Sequence, residues 1–155
     1  MEKLEVKHLA PYLPHGILTN KGKLVSIHTD CQSAKEPILK LESELDKTDI
    51  TEQIIKYPDF EPSKYGYETC LISEVKPILR PLSDLVSDGD LSPIGETVFR
   101  NFPEMFETMP LIVDKNPSML YYEYGIVESL FEFHFDVFGL IDKGLAIKYH
   151  ENSEI

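Results

Sequence analysis

The chain has no tryptophan, and its two cysteines, Cys31 and Cys70, stand far apart. That separation gives no Cys-x-x-Cys pair and no zinc-ligand spacing, which excludes a disulfide-stapled scaffold and a structural zinc site as organising features. Arginine is nearly as scarce: Arg80 and Arg100 are the only two, in a chain of 15 basic and 27 acidic residues with a net charge of −12. Such a chain repels phosphate backbones and lacks the side chain that reads them best, so direct nucleic-acid binding is disfavoured. Attraction to basic partners and acidic mimicry of a nucleic acid stay open. No apolar run approaches the ~18 residues of a membrane span, and the opening MEKLEVKHLAPYLP lacks the apolar stretch of a signal peptide. The expected setting is the cytoplasm, with reduced thiols and no membrane association. Also missing are Gly-x-Gly-x-x-Gly, a phosphate-loop Gly-Lys-Ser/Thr, Gly-x-Ser-x-Gly and His-Glu-x-x-His. No metal or cofactor is therefore implied, and no catalytic residue is assigned.

What is present is a chain of 155 residues with 42% hydrophobic content, enough for one core without staples. The reading is a single domain over 1–150 with a polar tail at 151–155. Residues 1–15, interrupted by Pro11 and Pro14, read as a short strand or turn followed by an extended segment. Gly16 to Thr29 reads as a β-hairpin turning at Asn20-Lys21-Gly22. Glu36 to Asp46 places Ile38, Leu41 and Leu45 at helical spacing, with Pro37 at a first helical position. Asp49 to Glu52 resembles a capping box that starts a short helix before Pro58, and Asp59 to Tyr67 is a loop by composition. Glu68 to Leu79 reads as a strand, broken at Pro77. Pro81 to Val86 suits one helical turn and Ser87 to Asp90 a tight turn. Ser92-Pro93 is a helix entry, with a capping hydroxyl followed by proline.

Half of the 16 aromatics fall between Ser118 and His150. Val127, Leu130, Phe131, His134, Phe138 and Ile141 recur every three or four residues and predict one long helix that stops at Gly144, with Leu145 folding back on Leu140. Phe131, Phe133, Phe135 and Val137 also alternate, which a strand would match equally well. Leu145 to Tyr149 reads as a last strand. The fold class is α+β: a small, mostly antiparallel sheet, formed by the hairpin, the central strand and the C-terminal strand, packed against a long aromatic-rich C-terminal helix. One internal echo, Glu36–Leu45 against Lys76–Leu85, does not extend and is read as coincidence.

Two groups of residues carry the functional reading. Tyr121, Tyr122 and Tyr124 at the start of the long helix, beside an acidic stripe of Glu128, Glu132 and Asp136, suit a protein interface. The bland reading of that stripe is the solvated side of an amphipathic helix. His28 and Asp30, two apart at a strand end, and Arg80 with Asp84, on backbone stiffened by Pro77 and Pro81, form a possible ligand site. Structural readings compete here too: a strand end for the first pair, an ion pair fixing the last helix for Arg80. His134, on the apolar stripe, is read as a buried histidine satisfied by a neighbour.

Three segments, HLAPYLP, KPILRPLSDL and FHFDVFGLIDKGLAI, together resemble an uncharacterised family of small proteins from Bacteroidetes genomes and their phages. Phe133 stands where that family's pattern has tryptophan, and Thr48 to Tyr67 has no counterpart. The resemblance implies a mobile-element setting and no mechanism. The reading that follows is an accessory protein acting through protein–protein contacts, with homo-oligomerisation open. The alternatives are an enzyme, metal or small-molecule binder using His28, Asp30 and Arg80, and an acidic nucleic-acid mimic.

Overall fold

The structure is a computed structural model; it describes residues 2–29, 35–45, 47–56, 61, 63–103 and 124–150. The chain opens with one α-helical turn, α1 (Val6–Leu9), that runs directly into a 3-10 turn over Ala10–His15. The expectation of an extended segment fails here. Ala10 is helical (φ −54°, ψ −41°) despite preceding Pro11, and the fixed proline φ suits the 3-10 turn that follows. Gly16, at φ +66°, closes that turn, and Leu9, Tyr12 and Ile17 are fully buried beneath it.

The hairpin forms as expected: β1 (Leu18–Thr19) pairs antiparallel with β2 (Gly22–His28). Thr19 Oγ1 donates to the Gly22 carbonyl at 2.7 Å and accepts from Lys21 N–H at 3.2 Å, which ties the turn. Gly22 has φ +140°, and a Cβ there would lie 2.6 Å from the Glu42 carbonyl oxygen. Only glycine permits the neighbouring strand to approach so closely.

That neighbour is β3 (Ile38–Glu44), where the spacing had predicted a helix. The run Ile-Leu-Lys-Leu-Glu-Ser-Glu-Leu satisfies both periods, and burial decides between them. Leu39 and Leu41 are buried on the inner face, while Ile38, Lys40 and Glu42 lie on the other. A bulge between Leu24 and Ser26 adjusts the β2–β3 register. After α2 (Lys47–Lys56), β4 (Tyr65–Leu71) pairs antiparallel with β3 along its full length. The sheet is four-stranded and antiparallel in the order β1-β2-β3-β4, with β4 at an edge.

A 3-10 turn at Ile72–Glu74 leads to β5 (Ile78–Leu79), another 3-10 turn at Leu82–Leu85, the hairpin β6 (Val86–Ser87) and β7 (Asp90–Leu91), and α3 (Pro93–Val98). Ser92 caps α3 as its sequence predicts, its Oγ accepting from Gly95 N–H at 3.1 Å.

The long C-terminal helix is not present. The helix here, α4, covers Tyr124–Glu132. It ends in a Schellman arrangement built on a histidine: His134 has φ +59°, its N–H donates to the Phe131 carbonyl, and Phe135 N–H donates to Leu130 at 2.8 Å. A second such arrangement forms at Gly144 (φ +68°), where Leu145 N–H donates to the Leu140 carbonyl at 2.9 Å as expected, but the preceding residues are turns. The aromatic stripe is thus folded back on itself. Tyr12 holds the fold, its hydroxyl donating to the Phe135 carbonyl at 2.6 Å and its ring meeting Phe131 edge-on at 4.9 Å.

The C-terminal strand β8 (Ile147–Lys148) does not join the antiparallel sheet; it runs parallel to β5. Two buried clusters result, one around Tyr12, Leu39, Leu41 and Leu79, the other around Leu85, Phe99, Leu130 and Phe135, and Phe131 packs against both. The architecture is α+β. Among the described residues no helix is long and apolar enough to cross a membrane.

Candidate functional site

The sequence candidates scatter. His28 closes β2 on the outer face of the sheet, its Nε2 2.9 Å from Ser26 Oγ. Asp30, Tyr121 and Tyr122 lie outside the described residues. Tyr124, at the start of α4, is 79% exposed, and Glu128 and Glu132 are exposed along the same helix. Asp136 does not continue their stripe. Because α4 stops at His134, Asp136 turns inward and is buried, its Oδ1 accepting from Leu140 N–H at 2.8 Å and its Oδ2 from Ile141 N–H at 2.7 Å. Of the ligand-site candidates that are described, Arg80 and Asp84 come together, in one cleft, and His28 lies apart from them.

Among the described residues the β4 edge is open to a partner; composition assigns its first residues to a loop. Tyr65, Tyr67, Thr69 and Leu71 alternate along it, which is the signal that identifies the strand. Its hydrogen bonding follows from register. Ile72 N–H donates to the Pro37 carbonyl and Leu45 N–H to that of Lys64, so the bonded pairs run from Lys64–Leu45 to Ile72–Pro37 by twos. The N–H and C=O groups of Tyr65, Tyr67, Thr69 and Leu71 therefore point outward. Local side chains satisfy the ends: Tyr65 exchanges two bonds with Ser63 Oγ, and Leu71 N–H donates to Glu74 Oε2 at 3.2 Å. Tyr67 and Thr69 lie between these ends with their outward groups open among the described residues. Tyr65 and Tyr67 are 47% and 59% exposed. Lys40 Nζ sits 4.2 Å above the Tyr67 ring, and the bond from the Tyr67 hydroxyl to Glu42 raises the phenol's pKa. The strand carries one charge, Glu68, and none of the lysines or prolines that usually guard an edge.

Arg80 follows β5 on a backbone fixed from both sides. Its N–H donates to the His134 carbonyl at 2.9 Å and its carbonyl accepts from Asp136 N–H at 2.8 Å. Its guanidinium lies 4.1 Å over the ring of Tyr149, and Tyr149 is held in turn by an N–H bond to Leu79 at 2.7 Å. Nothing local in the sequence places Lys148, Tyr149 and His150 beside Arg80, because the parallel pairing of β5 and β8 joins distant parts of the chain. No ion pair between Arg80 and any carboxylate, Asp84 included, occurs among the described residues.

His134 donates from Nε2 to the His15 carbonyl at 3.0 Å, and burial pushes its pKa below the ordinary value; it is a satisfied structural histidine. Burial likewise raises the Cys70 thiol, which suits an inert core cysteine. No trio of His, Cys, Asp or Glu among the described residues is placed to hold a metal. Comparison with protein-family models, with curated proteins and with solved structures finds no match in any of the three.

Proposed function

We propose that this protein acts by protein–protein contact, adding an extended segment of another protein to the β4 edge. The open hydrogen-bonding groups of Tyr67 and Thr69, centred on a strand whose ends are already satisfied, carry this reading. Strand addition draws affinity from those main-chain bonds and specificity from alternate side chains. The exposed tyrosines favour aliphatic residues on one face of the incoming strand. Glu68, in a chain of net charge −12, favours lysine or arginine on the other. A cytoplasmic, phage-type accessory role belongs to the same proposal and rests on the sequence resemblance. The exposed face of α4 with Tyr124, Glu128 and Glu132 offers a further contact area.

The test uses an acetylated peptide alternating valine and lysine. We expect it to slow hydrogen exchange of the Tyr67 and Thr69 amides, and an alternating valine–glutamate peptide not to. Thr69→Pro removes one outward N–H without touching the β3 ladder, so it should abolish the effect while circular dichroism stays unchanged. Unprotected Tyr67 and Thr69 amides, or undiminished binding by Thr69→Pro, would reject the proposal. A Thr69-dependent dimer of the free chain would instead assign the edge to a second copy.

A further inference from the structure

The cleft beside Arg80 is a second, separate place where this chain is prepared for a partner. It has a volume of about 700 Å³ and lies between the 3-10 turn at Leu82–Leu85, the β6–β7 hairpin and β8. That volume falls in the range of small-ligand sites. Its apolar wall is Val86, Pro93 and Ile94; its charged groups are Arg80, Lys148 and Asp84, and His150 borders it.

Arg80 gives the cleft its chemistry. Both backbone groups are bonded and the guanidinium carbon rests 4.1 Å over the Tyr149 ring, so the side chain is oriented before any ligand arrives. The contact with the Tyr149 ring uses no guanidinium N–H bond, and among the described residues no carboxylate pairs with Arg80, so its N–H groups remain to grip a carboxylate or phosphate with two parallel bonds. The chain has 27 carboxylate side chains, yet none of those described pairs with this arginine. Ser92, although it borders the cleft, has no spare donor, because its hydroxyl already donates to the Asp84 carbonyl. An extended polyanion is unsuited to so acidic a chain, whereas a single oxyanion on a small apolar body matches both the guanidinium edge and the wall.

We infer that this cleft binds a small organic oxyanion, a carboxylate or a phosphate ester, with Arg80 as the anion-gripping residue and Lys148 as the supporting charge. This does not rest on the β4 reading: Thr69→Pro should leave it intact.

The experiment is a nuclear magnetic resonance titration of the whole chain with benzoate and, separately, phenyl phosphate. It follows the Arg80 side-chain N–H and the amides of Ser87 and Tyr149. We expect saturable shifts at these positions with one or both probes; saturation by benzoate alone assigns a carboxylate, by phenyl phosphate alone a phosphate ester. Arg80→Lys should weaken binding about tenfold through loss of one charge-assisted bond, and Arg80→Gln should abolish it. Lys148→Glu, on an exposed strand with little bearing on the fold, should also weaken it. Linear, unsaturable shifts with both probes, or undiminished binding by Arg80→Gln or Lys148→Glu, would overturn the assignment.

Discussion

Replacing Asp136 by alanine separates two accounts of the C-terminal region. If Asp136 belonged to a solvated acidic stripe, removing it would change stability by no more than about 0.5 kcal/mol. In the structure it is buried and accepts from two backbone N–H groups, at 2.8 and 2.7 Å. Alanine leaves both donors without a partner, and bonds to a charged acceptor contribute about 1.5–3 kcal/mol each. Leu140 is fully buried, but Ile141 is half-buried and its N–H can recruit water, so the sum is reduced to about 3–5 kcal/mol. That is a large part of a total of about 5–15 kcal/mol, and for a chain of this size it lowers Tm by about 10 °C. Asp136→Asn keeps one acceptor and should lose about half as much. Urea unfolding followed by far-ultraviolet circular dichroism measures the difference, with exposed Glu132→Ala as the control. A loss below about 1 kcal/mol for Asp136→Ala, or one equal to the control, would refute the capping role.

Tyr12→Phe removes the 2.6 Å bond to the Phe135 carbonyl; that carbonyl keeps a bond from Val137 N–H, so urea denaturation should show a loss of about 1–2 kcal/mol. Gly22→Ala combines a positive φ with a Cβ 2.6 Å from a backbone oxygen and should cost about 2 kcal/mol or more, while Gly89→Ala, with nothing within 4 Å of its Cβ, should cost about 1 kcal/mol; thermal melts of the two distinguish crowding from backbone strain. His8 and His134 have folded pKa values lowered from 6.5, chiefly by burial. The unfolded chain therefore binds more protons near that pH, so their contribution is complete above pH 6.5 and is lost as pH falls through it. The urea midpoint should decline from pH 8 to 5, and His134→Asn should flatten that slope.

Where local chemistry decides structure, the sequence was legible. Thr19 to Gly22 make their own turn, Ser92-Pro93 starts a helix, and Gly144 closes a left-handed turn. The echo between Glu36–Leu45 and Lys76–Leu85 shows where legibility ends. Both segments place Ile-Leu in a strand, but Lys40-Leu41 continues β3 whereas Arg80-Pro81 stops β5 and the chain coils into a 3-10 turn. Proline explains the second fate; the first depends on β2 and β4 being present on either side. The end of α4 was hidden because histidine, not glycine, occupies the left-handed position. Of the ligand candidates, Arg80 was recognisable as a scarce residue on stiff backbone. Tyr149 was not recognisable as its platform, since the pairing that brings them together joins distant parts of the chain.

The bond from Tyr12 to Phe135 spans 123 residues, and this has a consequence for biosynthesis. During translation Leu9, Tyr12 and Ile17 leave the ribosome long before their partners from α4 and β8 exist. Leu24, Leu39, Leu41 and Leu79 of the same cluster are made early, but the side of Tyr12 that meets Phe131 and Phe135 stays uncovered until then, a state open to proteases and chaperones. Closure needs residues 130–149, which bring Phe131 against both buried clusters. A chain truncated before residue 130 should be protease-sensitive where the full 155-residue chain is resistant.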